Sequence, residues 1–167
     1  MKLLKLLILI VLIAINIAGC KNAEVNEPVA AVVGKVVKVV DGDTLHVYSN
    51  KKNYKIRLSG IDAPERGQAY GKRAKEHLEF LVAGKQVIAI VESKDCYGRY
   101  VASVKVESKD VCAEMLTAGY AWHYKQYDNN KYYDELQREA KKAKRGLWID
   151  KKPQAPWEYR KEQRAGQ

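Results

Sequence analysis

The chain has 167 residues, with 30 lysines and arginines against 20 aspartates and glutamates, so its formal net charge is +10 at neutral pH. This length suits one domain with a proper hydrophobic core and is too short for two. The positive charge suits a polyanionic partner, either a nucleic acid or an anionic membrane surface, although many basic residues are simply solvated. The histidines are scattered and no Cys/His cluster has the spacing of a zinc site, which excludes that class of metal centre.

The N-terminus has the composition of a secretory signal. Two lysines precede an uninterrupted apolar run at residues 6–15, which is too short to span a bilayer comfortably. Ala18 and Gly19 stand directly before Cys20, an arrangement that resembles the cleavage box of bacterial lipoproteins. We therefore predict that residues 1–19 are a lipoprotein signal peptide and that Cys20 becomes the lipidated first residue. An uncleaved anchor and ordinary secretory cleavage are the alternatives.

Lipidation would attach the protein to a membrane outside the cytoplasm, as an anchor and not a span. Lys21 follows the cysteine, where an aspartate is associated with retention in the inner membrane, so in a cell with two membranes we expect the outer one. Residues 20–31 are polar and lack periodicity, as in a flexible tether. The remaining chain predicts a domain at residues 32–150 and a C-terminal tail at residues 151–167.

The domain alternates between strand and helix patterns. Residues rich in β-branched side chains, bounded by turn signals, predict five strands, at residues 32–40, 44–48, 54–58, 86–91 and 100–106. Apolar side chains at helical spacing predict helices at residues 68–82 and 131–144, and Asp110 is placed to cap a short helix that ends at Gly119. The tail is broken by prolines, and we expect Trp157 to pack back onto the domain.

This order of elements predicts a small α+β domain, mainly β. A five-stranded barrel with one inserted helix and two C-terminal helices is an economical arrangement of it, and other α+β folds share the same order.

Five charged residues from three short segments carry the functional signal: Asp43, Arg57, Asp62, Glu65 and Arg99. Carboxylate oxygens suit a divalent cation such as calcium, and paired arginines suit bidentate contact with a phosphate. Together these residue types predict metal-assisted hydrolysis of a phosphodiester.

Each segment taken alone has a simpler explanation. Asp-Gly-Asp-Thr at residues 41–44 is typical of a hairpin turn, and either arginine could be the partner in a surface ion pair. The loop is not an EF-hand, because Leu45 and Lys52 stand where that motif needs oxygen ligands. Only the three segments taken together favour a catalytic function over these simpler explanations.

The order and spacing of these segments resemble the staphylococcal nuclease (thermonuclease) family. The resemblance covers about residues 32–150 and includes Ala-Gly-Tyr-Ala-Trp at residues 118–122 and Arg-Gly-Leu-Trp at residues 145–148. It implies an OB-fold barrel with packed helices, and a monomer that acts on DNA and RNA without an obligate protein partner.

The resemblance also implies roles for single residues. Asp43 and Asp62 would bind Ca²⁺ with the backbone carbonyl of Ala63, where the family commonly has threonine. Asp41 would add negative potential and orient waters. Because the ligand at position 63 is a main-chain oxygen, we expect alanine to preserve coordination.

Glu65 corresponds to the family's proposed general base, and Arg57 and Arg99 correspond to its two phosphate-binding arginines. Tyr97 matches a position that stacks on a nucleotide base, with packing alone as the alternative. The resemblance thus implies a calcium-dependent nuclease that leaves 3'-phosphate and 5'-hydroxyl ends. The alternative is an OB-fold module that binds nucleic acid without cleaving it.

Two cysteines remain in the domain. Cys96 and Cys112 could pair as a disulfide in an oxidising compartment or remain as two buried thiols, and the sequence favours neither.

Overall fold

The structure is a computed structural model that describes residues 30–166. The predicted signal peptide, the lipidation at Cys20 and nearly all of the tether lie outside these residues. Within them, no helix is both long and apolar enough to cross a membrane.

The described residues form eight strands, four α-helices and one 3₁₀ turn. The strands are β1 Ala31–Val39, β2 Thr44–Ser49, β3 Lys52–Leu58, β4 Ile61–Asp62, β5 Gln86–Lys94, β6 Tyr100–Val106, β7 Lys109–Asp110 and β8 Trp122–His123. The helices are α1 Gly71–Val82, α2 Val111–Thr117, α3 Lys131–Lys142 and α4 Pro156–Ala165, with the 3₁₀ turn at Gly146–Ile149. All five strands and all three helices expected from the sequence are present, with small shifts at their ends.

The main sheet closes into a barrel. Its strands follow the order β3-β2-β1-β5-β6-β7, and a parallel pairing between β3 and β6 joins the two sides. This closure confirms the predicted five-stranded OB-fold barrel, with β7 as a short extension on β6. It also brings the end of β3, which carries Arg57, beside the start of β6, which follows Arg99.

Alternating side chains from the barrel strands fill the core. In β1, Val32 and Val36 point inward, and a bulge between Val36 and Lys38 shifts the alternation so that Val39 is buried next. Helix α1 covers one end of the barrel with a buried stripe that includes Ala74 and Leu78, as its helical spacing predicts.

A small second sheet was not predicted. Strands β4 and β8 pair antiparallel, with Ile61 opposite His123 and Asp62 opposite Trp122. Each strand has only two residues, which is too short for a periodic pattern to show in the sequence. The pairing places Asp62 against the segment that leads into α3.

The C-terminal tail is a helix, which the proline pattern did not predict. Pro156 begins α4, where its missing N–H costs nothing, and the Ala155 N–H donates to Glu158 Oε2 at 3.4 Å. Trp157 stacks face to face on Tyr124 at 5.3 Å between ring centroids and contacts Trp122 edge-on. The predicted packing of Trp157 onto the domain is therefore confirmed.

Both cysteines of the domain are free thiols, so the disulfide alternative is wrong. Cys112 is fully buried, and burial raises its pKa to about 12. Cys96 is exposed, so the expectation of two buried thiols holds for Cys112 only.

Candidate active site

One open cavity of about 1020 Å³ collects the residues that the sequence singled out. Its lining includes Asp43, Arg57, Asp62, Glu65, Tyr97 and Arg99, together with Asp41. These side chains come from the β1–β2 turn, the end of β3, β4, the loop before α1 and the turn before β6. The barrel closure and the β4–β8 pairing thus bring together all five charged residues.

The β1–β2 turn holds Asp43 against the body of the site. Thr44 pairs with Arg57 in the β2–β3 register, and the Leu58 N–H donates to the Asp43 carbonyl at 2.8 Å. The Asp43 carboxylate is buried, and it accepts from Thr44 Oγ1 at 3.0 Å and from the Ala63 N–H at 3.1 Å. Asp43 and Ala63, two of the predicted metal-binding positions, are therefore neighbours.

Asp41 stabilises the β1–β2 turn. Its carboxylate accepts a hydrogen bond from the Asp43 N–H at 3.1 Å. Burial and the nearby charge of Asp43 raise the pKa of Asp41 to about 6. The turn therefore places two carboxylates close together at the cavity wall, and the role expected of Asp41 in orienting waters stays a prediction.

Asp62 is the most deeply buried carboxylate of the site, with 1% of its side chain exposed. Burial, together with the charge of Asp43, raises the pKa of Asp62 to about 6, although the hydrogen bonds from Arg160 and Arg57 favour its ionised form. A buried carboxylate of this kind needs cationic partners, and both of its oxygens have them.

Arg57 lies between the two carboxylates. Its Nη2 atom is 2.7 Å from Asp62 Oδ1 and 3.5 Å from Asp43 Oδ2, so both carboxylates face the same guanidinium edge. Its Nη1 atom donates to the carbonyls of Leu58 and Ile61, each at 2.9 Å. This arginine is thereby fixed in orientation before any ligand arrives.

Arg99 is held from the other side of the cavity. Its Nε donates to Asp95 Oδ2 at 2.7 Å, and its Nη1 lies 3.4 Å from Thr44 Oγ1. Within the described residues its Nη2 has no protein partner, which leaves a donor for a phosphate oxygen.

Tyr97 lies in the same turn as Arg99, and Gly98 has a positive φ of 77° between them. The Tyr97 ring is 73% exposed, and the Arg99 guanidinium lies 5.6 Å from its centroid. A base could stack on this ring without displacing protein, so the geometry permits the predicted binding role.

Glu65 is held by a residue that sequence reasoning missed. Arg160 of α4 places Nη1 2.6 Å from Glu65 Oε1 and Nη2 2.9 Å from Asp62 Oδ2. Arg160 is therefore a further arginine in contact with the site's carboxylates, beyond the Arg57 and Arg99 that the sequence predicted. The available signal was the spacing of Trp157, Arg160, Lys161 and Arg164 directly after Pro156, which is typical of one helix face.

The donor atoms fit a hard divalent cation. Asp43 and Asp62 are carboxylates that share one guanidinium edge and line the cavity, so their oxygens are near each other, whereas Ala63 is buried beside Asp43 and is not part of the cavity lining. Among residues 30–166, no group of three or more acidic, histidine or cysteine side chains is arranged to hold a metal ion. Water or substrate would have to complete the shell, and a cation would compete with Arg57 and Arg160 for Asp62.

Comparison with known proteins identifies the fold family. Residues 55–150 match the model of a family described as "Staphylococcal nuclease homologue". The chain belongs to the staphylococcal nuclease family. This match confirms the resemblance that the motifs indicate, and it contains Arg57, Asp62, Glu65 and Arg99.

Curated relatives agree with the family. An "uncharacterized endonuclease" of Escherichia coli O157:H7 is 42% identical over 132 residues, which cover 78% of this chain and 86% of that protein. An "uncharacterized endonuclease" of Haemophilus influenzae is 39% identical over 131 residues, 78% of this chain and 74% of that protein. A "probable staphylococcal-like nuclease" of rice (Oryza sativa subsp. japonica) is 43% identical over 115 residues, 69% of this chain but only 35% of that longer protein. As a member of the staphylococcal nuclease family, the chain is a nuclease, a hydrolase of phosphodiester bonds.

Proposed function

We propose that this nuclease depends on calcium and cleaves DNA, RNA or both to leave 3'-phosphate and 5'-hydroxyl ends. The observation that carries the proposal is the convergence of Asp43, Asp62, Arg57, Glu65 and Arg99 on one cavity. A module that binds nucleic acid without cleaving it would need the two arginines of this set. It would not need Glu65, the carboxylate at the mouth of the cavity.

The cation site rests on two buried carboxylates. Asp43 and Asp62 have 7% and 0% of their surface exposed, and burial, with a smaller contribution from the charge of Asp43, raises the pKa of Asp62. A bound calcium would neutralise this charge and act as a Lewis acid on the phosphate. Asp43, Asp62 and the Ala63 carbonyl would hold it.

The arginines bind and orient the phosphate. Arg99 is anchored through Nε to Asp95, so its free donor presents a fixed positive charge to a nonbridging or leaving oxygen. Arg57 is fixed by two carbonyls and can face the same phosphate with its remaining donors. Positive charge fixed in this way stabilises the extra negative charge of the transition state.

Glu65 acts on the attacking water. Its side chain is 35% exposed at the mouth of the cavity, unlike the buried Asp43 and Asp62, so it can reach a water that enters from solvent. Accepting the water's proton directs the oxygen toward phosphorus. Arg160 holds Glu65 Oε1 at 2.6 Å, and within the described residues Glu65 Oε2 has no hydrogen-bond partner, so this second oxygen can accept the water's proton.

We further propose that the enzyme works outside the cytoplasm, anchored through lipids on Cys20. The support is the sequence pattern before Cys20. The mature domain would act there as a monomer on DNA and RNA outside the cell's own cytoplasm.

The proposal is tested by cleavage of single-stranded DNA and of single-stranded RNA by the purified protein, first with calcium and then with excess chelator. We expect cleavage with calcium and its loss in chelator. Products that terminal transferase extends only after phosphatase treatment would show the 3'-phosphate ends. Cleavage that continues undiminished in chelator, or none with calcium, would rule the proposal out.

A further inference from the structure

Helix α4 lies beyond the residues matched to the family, and it lines the same cavity. Trp157, Arg160, Lys161 and Arg164 all contribute to the cavity wall. Their positions follow the i, i+3, i+4, i+7 pattern, which places them on one face of the helix. We call Arg160, Lys161 and Arg164 the basic face of α4.

This face is anchored before any substrate arrives. Trp157 stacks on Tyr124 and packs edge-on against Trp122, while Gln68 Nε2 donates to the Gln154 carbonyl just before the helix at 2.9 Å. The position of the helix is therefore set by packing, so the helix itself does not have to become ordered when its three cations bind a ligand.

The acidic residues of α4 are engaged elsewhere. Glu158 accepts from the Ala155 N–H at the start of the helix, and Glu162 accepts from Gln154 Nε2 at 2.7 Å. Neither of them lines the cavity. The charged side chains that α4 presents to the cavity are consequently all basic.

Two of the three cations have no carboxylate partner. Arg160 binds Asp62 and Glu65, but within residues 30–166 neither Lys161 nor Arg164 forms a salt bridge, and both are exposed. Arg160 and Arg164 are one helical turn apart, about 6 Å along the axis. Each strand of duplex DNA carries one phosphate about every 3.4 Å of helix axis, and an unstacked single strand is more extended, so this face spans one to two phosphates.

Exposed aromatic rings border the same cavity. Tyr97 and Tyr127 are each 73% exposed and contribute to its lining. A basic groove that follows a backbone, combined with rings that accept unpaired bases, is typical of single-stranded nucleic acid binding.

We propose that the basic face of α4 binds backbone phosphates of a single-stranded DNA or RNA next to the phosphate that is cleaved. This inference rests on the proposed function for its substrate class. It extends the binding site past the family's charged residues and makes the enzyme bind a longer strand more tightly than a dinucleotide.

The test measures binding by fluorescence anisotropy in chelator, so that cleavage does not interfere. The probes are fluorescein-labelled oligothymidylates of 2 and 12 nucleotides, and the variant is Lys161→Gln with Arg164→Gln in the full chain. The matched control is Lys105→Gln with Lys109→Gln, which removes two exposed charges that do not line the cavity.

We expect the α4 variant to bind the 12-mer ten- to thirtyfold more weakly at 0.1 M salt and its salt slope to fall by about 1.4, since each phosphate contact contributes about 0.7 on single strands. The ratio of the Kd of the dinucleotide to the Kd of the 12-mer should fall by the same factor. The control should stay within about twofold of wild type, and thermal unfolding should show that both variants fold.

Equal binding of the 12-mer by the α4 variant and the control would overturn the inference. The inference would also be overturned if the α4 variant bound the 12-mer normally but lost affinity for vesicles containing anionic lipid. In that case α4 would face a membrane. Cleavage of the same 12-mer by wild type with calcium tests the proposed function separately.

Discussion

Arg160 Nη1 lies 2.6 Å from Glu65 Oε1, so the C-terminal helix holds the carboxylate that the family resemblance makes the general base. The same guanidinium contacts Asp62. Arg160 therefore binds both the proposed general base, Glu65, and a proposed metal ligand, Asp62. The tail therefore takes part in the charge balance of the active site.

Replacing Glu65 with glutamine should strongly slow cleavage and leave the affinity for oligonucleotides unchanged. The amide keeps the shape of the side chain but cannot accept the water's proton, so we expect kcat to fall about 10²- to 10⁴-fold. The measurement is cleavage of labelled single-stranded DNA with calcium, alongside oligonucleotide binding in chelator. Glu76→Gln is the matched control, because Glu76 is exposed on α1 and forms only a surface pair with Lys72. A variant that cleaves at the wild-type rate would remove Glu65 from the mechanism.

Arg160→Gln should destabilise the calcium-free protein more than the calcium-loaded one. The substitution removes bonds to a fully buried carboxylate, so we expect the free energy of unfolding to fall by about 1–3 kcal/mol without calcium. Calcium should then restore more stability to the variant than it adds to wild type, because the ion competes for Asp62 with one guanidinium, that of Arg57, instead of two.

Urea unfolding with calcium and with chelator measures this difference. Arg164→Gln is the control, since Arg164 lies one turn further along α4 and, within the described residues, has no carboxylate partner. Identical calcium responses in wild type and Arg160→Gln would show that Arg160 and the cation do not compete.

Trp157→Ala should release α4 while leaving the barrel folded. Aromatic pairs of this kind contribute about 0.5–1.5 kcal/mol beyond burial, and Trp157 makes two of them. We expect the protection of α4 amides against hydrogen exchange to fall at least about tenfold, with little change in the β1 and β5 amides. Tyr132→Ala, which removes an exposed ring on α3, should leave α4 protection unchanged. Unaltered α4 protection in Trp157→Ala would mean that other contacts hold the helix.

His77 should make the fold less stable in mild acid. Burial lowers the pKa of His77, with only partial opposition from the charge of Glu114, and its Nε2 has no hydrogen-bond partner among the described residues. The unfolded chain takes up this proton near pH 6.5 and the folded chain only at lower pH, so stability is lost as pH falls below about 6.5.

Unfolding of His77→Leu and of wild type, measured from pH 8 to pH 5, tests this. At pH 8 both side chains are neutral, and the stability difference there serves as the reference. We expect the variant to lose less stability than wild type on acidification. Parallel curves would show that His77 titrates alike in the folded and unfolded chains.

The two domain thiols should differ in reactivity. Cys96 is exposed and free, whereas Cys112 is fully buried with a pKa raised to about 12. Iodoacetamide should therefore modify Cys96 in the native protein and reach Cys112 only after unfolding. Peptide mapping by mass spectrometry locates the label, and native labelling of Cys112 or a Cys96–Cys112 crosslink would contradict the structure.

Much of the site could be read from local sequence. The turn at residues 41–44 is specified by residue types that favour tight turns, and the barrel strands are specified by alternating apolar side chains. Asp43, Arg57, Asp62, Glu65 and Arg99 were recognised because their spacing along the chain matches a family pattern, and the structure brings all of them to one cavity.

The sequence by itself determined the five strands, the three predicted helices and the five charged residues, because these depend on periodicity and on short motifs, and the barrel was expected from the family resemblance. Only the tertiary structure decided that Cys96 and Cys112 remain apart and that Arg160 reaches Asp62, 98 positions away along the chain. Such contacts depend on the register of β4 with β8 and on the docking of α4 by Trp157. Neither leaves a repeating pattern in the sequence, since a two-residue strand has no period and one anchoring ring does not show which surface it will meet.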